Sequence, residues 1–366
     1  MGEGSAGANF RSSSRCTPTE ARRVFSKRDT NLVPARRIAA LQRVARLPLV
    51  VLALVTQSAL AAAPAKIDLN AFDALKQSVP LPNGESLAYV SMGDPADPAV
   101  VLIHGYTDSA RDWVPLVPYL SPRLRLILVD IRGHGRSGKP ECCYTRLDFA
   151  YDIKLLLDAL GVQQADIVGH SLGSFIAQTF AEYWPERTRR VILISSSGGS
   201  KAGAPPRKPS FDYAAQIRQL KEPIDPDSPF MIEWWSSPKA VDEDFIRRQR
   251  RDAAAIPLRV WLAVLEQGLF DGDWQRIDGD LQRTLPKLKA PTLLIWGSAD
   301  PIMQEEARRS LRAALPHAQV KVFQGLGHNP FWEDPQHCAD VINAFLTAAP
   351  SGAARSHFTQ RRQPGG

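Results

Sequence analysis

Five consecutive residues, Gly169-His170-Ser171-Leu172-Gly173, decide the fold of this chain. They follow an apolar run, Ala165 to Val168, and lead into a stretch with helical spacing, Phe175 to Tyr183. A G-x-S-x-G motif between a strand and a helix places the serine on a sharp, strained turn where only small neighbours fit. The amino terminus of the following helix favours negative charge that develops beside it. The pattern therefore predicts a nucleophilic serine at position 171.

Short apolar runs alternate with helical stretches on both sides of this motif. The predicted strands are Val100 to Ile103, Leu124 to Val129, Ala165 to Val168, Val191 to Ile194, Thr292 to Ile295 and Val320 to Phe323. Helices are predicted at Phe149–Leu160, Phe175–Tyr183, Glu305–Leu315 and Pro335–Leu346. Strands that are apolar throughout are buried on both faces, so we expect an α/β fold with a mostly parallel central sheet flanked by helices. In such sheets the reactive loops lie at the carboxyl ends of the strands.

Residues 198–285 interrupt this alternation. They contain no convincing strand, many prolines and four of the eight tryptophans, Trp234, Trp235, Trp261 and Trp274. Because the segment lies between two predicted strands, we interpret it as an inserted helical lid. The core is accordingly predicted at 80–197 and 286–348. The polar tail at 350–366 is predicted to be disordered.

Four further segments occupy loops that follow predicted strands. In chain order they are His104-Gly105-Tyr106, the run Asp130-Ile131-Arg132-Gly133-His134-Gly135-Arg136-Ser137, Trp296-Gly297-Ser298-Ala299-Asp300 and Gly327-His328-Asn329-Pro330. With the serine motif, they resemble the serine-nucleophile branch of the α/β-hydrolase fold family, whose members include esterases, lactonases and C–C bond hydrolases. The resemblance covers roughly Pro82 to Leu346, and the order serine, aspartate, histidine is the family's own.

The resemblance implies a catalytic triad of Ser171, His328 and Asp300. A histidine titrates near neutrality, so His328 can take the serine proton and return it to the leaving group. Asp300 would orient the imidazole and stabilise its charged form. The backbone N–H groups of Tyr106 and Leu172 would form the oxyanion hole.

Other residues of the same loops receive structural interpretations. His104 is expected to be a hydrogen-bond donor in its loop, and His170 to point away from the serine along the turn. Asp130 and Arg132 are expected to stabilise their turn as a pair. The competing interpretations are a solvated loop histidine for His328 and an ordinary turn aspartate for Asp300.

The amino-terminal segment predicts export. Residues 1–35 are interpreted as a disordered or mis-annotated extension, and residues 36–61 as a signal peptide with a basic start, a short apolar run and Ala59-Leu60-Ala61 as the cleavage site. The apolar run is shorter than the ~20 residues of a membrane span. We therefore expect a periplasmic or extracellular protein without stable membrane association after cleavage. The alternative is an uncleaved amino-terminal anchor.

The net charge of +7 arises entirely from this segment. Residues 1–61 carry ten lysines and arginines and three acids, so the remaining chain is neutral. A basic pI of about 9.3 therefore does not indicate a nucleic-acid partner. Neither a metal nor a cofactor is predicted, because no zinc-binding, calcium-binding or phosphate-binding motif occurs.

Cysteine usage leaves two interpretations open. Cleavage would retain Cys142, Cys143 and Cys338. The adjacent pair could supply one bridge to Cys338 in an oxidising compartment, or all three could be buried thiols.

The sequence favours a serine hydrolase that cleaves a small to medium, uncharged or weakly charged acyl compound such as an ester or lactone. The neutral body and the aromatic insertion support this, and Trp234, Trp235 and Trp261 are candidate substrate-binding residues. A cluster of arginines at positions 247, 248, 250 and 251 argues against an uncharged substrate, because it could bind an acid. We interpret this cluster as a solvated helix face. A C–C bond hydrolase, an aminopeptidase or a cofactor-free haloperoxidase of the same fold is the alternative. From another class, the alternative is a non-catalytic ligand-binding module.

Overall fold

The computed structural model describes residues 65–198, 213–269 and 285–348. An eight-stranded sheet lies at its centre, in the order β1-β2-β4-β3-β5-β6-β7-β8. The strands are β1 (Gln77–Pro80), β2 (Ser86–Met92), β3 (Ala99–Ile103), β4 (Arg125–Asp130), β5 (Ala165–His170), β6 (Thr188–Ile194), β7 (Thr292–Gly297) and β8 (Gln319–Phe323). Strands β3 to β8 pair in parallel, whereas β2 pairs antiparallel with both β1 and β4. The mostly parallel α/β fold predicted from the sequence is confirmed.

Helices cover both faces of this sheet. Those of the core are α1 (Leu69–Ala74), α2 (Arg146–Ala159) and α3 (Leu172–Tyr183), followed after β7 by α8 (Glu305–Ala314), α9 (Pro330–Glu333) and α10 (Pro335–Thr347). Between β6 and β7 lie α4 (Tyr213–Gln219), α5 (Pro229–Trp234), α6 (Glu243–Ala254) and α7 (Leu258–Ala263). A π-helical turn, Val264–Leu269, continues from α7.

Burial explains why the central strands could be read from the sequence. Every residue of β3, β5 and β7 is buried, as expected where helices cover both faces of a parallel sheet. The edge strand β1 is mostly exposed and carries no such apolar run. The sheet therefore begins at Gln77, before the core boundary predicted at residue 80.

The strand order brings two of the predicted loops together. Strand β3 lies between β4 and β5, and Ile103 pairs with Gly169 at their carboxyl ends. The loop that starts at His104 and the turn that carries Ser171 therefore leave the sheet side by side. After β4 the next strand in the chain, β5, lies on the other side of β3, so the strand order switches here. In open α/β sheets such a switch point is the usual ligand site.

The helices between β6 and β7, which we call the inserted helices (described over residues 213–269), pack onto loops of the core. The guanidinium of Arg259 in α7 donates to the carbonyl oxygens of Lys139 (2.8 Å) and Pro140 (2.7 Å). Gln267 accepts a hydrogen bond from the backbone N–H of Tyr144 at 3.0 Å. The segment is helical, as predicted, and its action as a lid stays a prediction.

Several predictions fall on residues outside the described ranges. They concern the extension at 1–35, the signal peptide at 36–61, Trp274 and the tail at 350–366. None of the helices in the described part of the chain is both long enough and apolar enough to cross a lipid bilayer.

The cysteines settle the question that the sequence left open. Cys142 is joined to its neighbour Cys143, and Cys338 is a buried free thiol. The bridge from the adjacent pair to Cys338 is therefore not formed, and the alternative of three buried thiols is right for Cys338 but wrong for Cys142 and Cys143. A buried apolar setting raises the pKa of the Cys338 thiol, which keeps it protonated and unreactive.

Candidate active site

Ser171 occupies a strained turn between β5 and α3. Its backbone has φ 49° and ψ −117°, in the left-handed region that non-glycine residues seldom adopt. A side chain at Gly169 would lie 2.1 Å from the carbonyl oxygen of Gly173, and one at Gly173 would lie 2.1 Å from that of Ile103. The two glycines of the motif are therefore required by close backbone packing, which holds the serine at the carboxyl edge of the sheet.

A hydrogen bond joins the other two predicted triad members. Nδ1 of His328 lies 2.8 Å from Oδ2 of Asp300. The second carboxylate oxygen, Oδ1, accepts the backbone N–H groups of Ile302 (2.8 Å) and Met303 (2.9 Å) in the loop after β7. Burial alone would raise the pKa of Asp300, but His328 and these two N–H groups outweigh it and hold that pKa below its ordinary value. Asp300 is therefore a fixed anion that orients the imidazole.

The backbone of His328 is held from a second side. Its carbonyl oxygen accepts the hydroxyl of Ser195 at 2.6 Å and lies 3.0 Å from Nε2 of His170. Burial alone would lower the pKa of His328, but the carboxylate of Asp300, with smaller contributions from Asp108 and Asp112, outweighs burial and raises the pKa above its ordinary value. The contact through His170, the direct neighbour of Ser171, places the histidine loop against the serine turn.

The two predicted oxyanion donors lie on the adjoining loops. Leu172 is the first residue of α3, so its N–H has no acceptor within the helix. Tyr106 follows β3, and its buried hydroxyl donates to the carbonyl oxygen of Trp261 at 2.7 Å. His104 braces the same loop, since its Nε2 accepts the N–H of Ile131 (3.1 Å) while Nδ1 lies 2.7 Å from the oxygen of Gly105.

The three candidate tryptophans lie near this loop but differ in exposure. The indole N–H of Trp234 donates to the Thr107 hydroxyl at 3.1 Å, and its half-buried ring meets that of Tyr106 edge-on at 5.9 Å. The ring of Trp261 is wholly buried against Tyr106, and its N–H donates to the oxygen of Ala253. Trp235 is also buried. Of the three, Trp234 alone keeps part of its surface open to a ligand.

Asp130 and Arg132 do stabilise their turn, but not as a pair. The carboxylate of Asp130 accepts the ammonium of Lys76 and the N–H groups of Ala110 and Arg136. Arg132 instead forms a buried bidentate pair with Asp152, at 2.6 Å for both contacts. The pairing depends on α2, whose position beside the turn is not visible in the motif.

A buried acidic cluster beside the site was missed by the sequence reasoning. It consists of Asp108, Asp112 and His170, whose oxygen and ring nitrogen atoms lie within 4.8 Å of one another. In the described ranges these are the residues that could together contact a cation. His170 does not simply point away along the turn, because its Nε2 meets the His328 loop. The sequence feature that could have indicated this cluster is the pair of aspartates, four residues apart, that follows His104-Gly105.

Comparisons with known proteins agree with this architecture. A model of the alpha/beta hydrolase fold family matches residues 98–335. An uncharacterized protein of Mycobacterium tuberculosis (strain ATCC 25618 / H37Rv) is 30% identical over 273 residues, covering 68% of this chain and 75% of that protein. The 2-hydroxy-6-oxononadienedioate/2-hydroxy-6-oxononatrienedioate hydrolase 2 of Pseudomonas putida is 28% identical over 268 residues, covering 71% and 91%.

One solved structure is similar over most of the same region. It is that of a membrane phospholipase A, with a TM-score of 0.62 and 26% identity, covering 74% of this chain and 85% of that one. The chain belongs to the α/β-hydrolase fold family. The protein is a hydrolase.

Proposed function

We propose that this enzyme is a serine hydrolase that cleaves a small to medium ester or lactone through an acyl-enzyme. The observation that carries the proposal is the Asp300–His328 hydrogen bond, formed beside a serine on a strained turn. These are the parts that acyl transfer needs: a nucleophile, a base, and a group that orients the base.

The first half of the reaction forms the acyl-enzyme. Oγ of Ser171 attacks the substrate carbonyl carbon while Nε2 of His328 takes its proton. Because Nδ1 of His328 carries a proton toward Asp300, the imidazolium that results is stabilised as it forms. The backbone N–H groups of Tyr106 and Leu172 hold the oxyanion, and each such donor contributes about 2.7–4 kcal/mol. His328 then protonates the leaving alkoxide, and the carbon–oxygen bond breaks.

The second half releases the acid. Water attacks the acyl carbon while His328 removes its proton. As the second tetrahedral intermediate collapses, the bond to Oγ breaks, His328 returns the proton to Oγ, and a carboxylic acid and free Ser171 result. For a lactone, alcohol and acid are parts of one product. The chemistry balances without an added oxidant, reductant or metal.

Fluorophosphonate labelling tests the nucleophile directly. The wild-type protein should be labelled at Ser171, and Ser171→Ala should not be labelled. Ser236→Ala is the matched control, because Ser236 is an exposed serine of the inserted helices. An unlabelled wild-type protein would point to a non-catalytic ligand-binding module.

Substrate size is tested with p-nitrophenyl esters of graded chain length against an emulsified long-chain triglyceride. We expect turnover to peak on short to medium chains, since the buried ring of Trp261 fills space beside Tyr106 and the buried ring of Trp235 packs against Trp234. A clear preference for the emulsion would instead assign a lipase, an outcome that the resemblance to a membrane phospholipase A makes worth measuring.

A C–C bond hydrolase is the second candidate, and one comparison favours it. The Pseudomonas putida relative is named for a 2-hydroxy-6-oxo-dienedioate substrate. The assay is loss of the visible absorbance of such a ring-cleavage product. A kcat/KM above that for every ester tested would replace the esterase assignment.

We also propose that the enzyme is exported after cleavage near Ala61. The order of basic, apolar and small residues at 36–61 supports this. Mass spectrometry of the exported protein should find an amino terminus close to Ala62. Full-length protein in the membrane fraction would support the uncleaved anchor instead, and full-length protein in the cytoplasm would exclude export.

A further inference from the structure

The tautomer of His170 follows from its partner. Its Nε2 lies 3.0 Å from the carbonyl oxygen of His328. A carbonyl oxygen can only accept a hydrogen bond, so Nε2 must carry the proton. In a neutral ring Nδ1 is then a bare acceptor.

That bare nitrogen faces further acceptors. Oδ2 of Asp112 lies 3.6 Å from Nδ1 of His170, and the carboxylate of Asp108 belongs to the same cluster. Among the described residues, no donor with the geometry of a good hydrogen bond reaches Nδ1 of His170 or either carboxylate oxygen of Asp112, although the N–H groups of Gly105 and Trp332 lie close enough to act on that carboxylate. Asp112 and His170 are at most 1% exposed, so bulk water does not supply the missing donor. Three acceptors cannot face one another stably unless a proton or a cation lies between them.

The space favours a proton over a metal ion. A metal held by three protein ligands completes its coordination shell with water, and the cluster offers three such ligands. Gly105 closes one side, since a Cβ there would lie 2.8 Å from Oδ2 of Asp108 and 3.0 Å from Nδ1 of His170. Little room is left for the water ligands that would complete a coordination shell.

We propose that Asp112 is a positioning residue: its carboxyl group is protonated at neutral pH and donates to Nδ1 of His170, which fixes the Nε2–H tautomer that anchors the backbone of His328. The proposal rests on the proposed function, because His328 is the base of that reaction. A closing movement of about 0.6–0.9 Å brings the 3.6 Å separation to hydrogen-bond distance.

The electrostatics of the cluster agree with this placement of the proton. Burial raises the pKa of Asp112 to about 8, against opposing effects from Trp332 and the N–H of Gly105. Burial also lowers the pKa of His170 well below its ordinary value and raises that of Asp108. A neutral acid beside a neutral imidazole avoids burying an unpaired charge.

Deprotonation of Asp112 should break the hydrogen bond between His170 and the backbone of His328. Above the pKa of Asp112, its carboxylate would face the lone pair of Nδ1, so His170 would move its proton to Nδ1 and lose the bond to His328. The titratable groups that face the pair are Asp108, His328 and, at longer range, Asp300 and His104. Arg111 is directed elsewhere, into ion pairs with Asp73 and Asp252.

Nitrogen-15 NMR of the histidine side chains tests the tautomer without turnover. The sample is the Ser171→Ala protein, with the His170 signals assigned by comparison with His170→Gln. We expect an Nε2–H tautomer for His170 at pH 7 and a change of tautomer as the pH rises through about 8. In Asp112→Asn, whose amide donates at every pH, the Nε2–H form should persist. An Nδ1–H tautomer at pH 7 in the parent sample overturns the proposal.

The pH dependence of kcat and KM is the second test of the proposal. The wild-type enzyme should lose kcat above about pH 8, while Asp112→Asn should keep kcat at pH 7 within about threefold and show no such loss. Asp112→Leu removes the donor and should lower kcat about tenfold or more at every pH with KM little changed, because misplacement of a catalytic group costs up to 10²-fold. Asp108→Asn is the control for the neighbouring acid and should retain the alkaline loss.

The outcomes separate the two proposals. An alkaline loss that persists in Asp112→Asn, or Mn²⁺ or Zn²⁺ binding that Asp112→Asn abolishes, refutes the shared proton. Absence of fluorophosphonate labelling refutes the serine hydrolase assignment but leaves the NMR result intact.

Discussion

The hydroxyl of Ser195 donates a 2.6 Å hydrogen bond to the backbone carbonyl of His328. Ser195 directly follows β6, with φ 48°, so it joins Thr107 and Ser171 as a non-glycine residue in the left-handed region beside the site. Backbone strain of this kind costs about 1–3 kcal/mol and persists where the surroundings enforce it. The strand that ends next to the serine turn thus also fixes the loop that carries the candidate base.

The Ser195 contact predicts a loss of rate without a loss of binding. Ser195→Ala should lower kcat about tenfold and leave KM nearly unchanged, because a backbone anchor of His328 is lost. Ser195→Gly removes both the hydroxyl and the strain, so its melting temperature should exceed that of the alanine variant. If the glycine variant also recovered activity, the strain rather than the hydrogen bond would be what matters.

Removal of the triad members should have unequal effects. Ser171→Ala is expected to lower kcat by about 10⁶-fold, the scale seen when a serine-hydrolase nucleophile is removed. Asp300→Asn should cost about 10⁴-fold, because the serine, the histidine and the oxyanion donors remain. Steady-state assays on an activated ester measure both. Near-normal turnover by His328→Ala would show that the base has been assigned to the wrong residue.

The acid limb of the pH profile should lie above the ordinary histidine pKa. The reaction needs neutral His328, and its pKa is raised in the folded enzyme, with Asp300 the strongest contributor to the rise. The value of kcat/KM should therefore fall as the pH drops through this raised pKa. In Asp300→Asn the imidazolium loses its anion, so the residual activity should persist to lower pH. If the acid limb of the kcat/KM profile lay at the same pH in Asp300→Asn as in the wild type, His328 would be excluded as the titrating group.

Packing at the serine turn predicts a stability change. Gly173→Ala would place a Cβ 2.1 Å from the carbonyl oxygen of Ile103, and backbone atoms cannot move aside cheaply. We expect destabilisation of at least ~1–3 kcal/mol, the usual cost of overpacking. Gly161→Ala is the control, because no atom lies within 4 Å of a Cβ there, although its positive φ adds some strain. Urea denaturation compares the two variants, and equal midpoints would contradict the packing argument.

The buried Arg132–Asp152 ion pair should contribute more to the free energy of unfolding than an exposed ion pair does. Asp152→Ala leaves a buried guanidinium without its partner and should cost about 3–5 kcal/mol of unfolding free energy. Asp158→Ala breaks partly exposed pairs with Lys154 and Arg187 and should cost less than about 1 kcal/mol. Thermal and urea unfolding measure the difference, and similar costs for both would refute it.

The sequence predicted the parts of the molecule whose chemistry is local. Buried parallel strands such as β5 are continuous apolar runs, and the serine turn needs glycines at fixed positions, so both can be read directly. The prediction omits β1, an exposed edge strand that leaves no apolar pattern, and also β2, whose buried run is only four residues long. The Arg132–Asp152 pair and the contact of His170 with His328 join residues far apart in the chain, and no local pattern encodes which of several charged residues will meet.

Tyr106 has consequences for recombining this enzyme with its relatives. Its N–H lies on the candidate oxyanion loop, while its buried hydroxyl depends on the carbonyl oxygen of Trp261 in the inserted helices. Because this acceptor is a backbone oxygen, a chimera that exchanges the insertion alone keeps the hydrogen bond only if the new insertion places a carbonyl at the same point. Where it does not, the buried phenol loses its acceptor, at a cost of about 1–3 kcal/mol. In chimeric libraries made to change substrate specificity, residue 106 and the inserted helices should therefore be exchanged together.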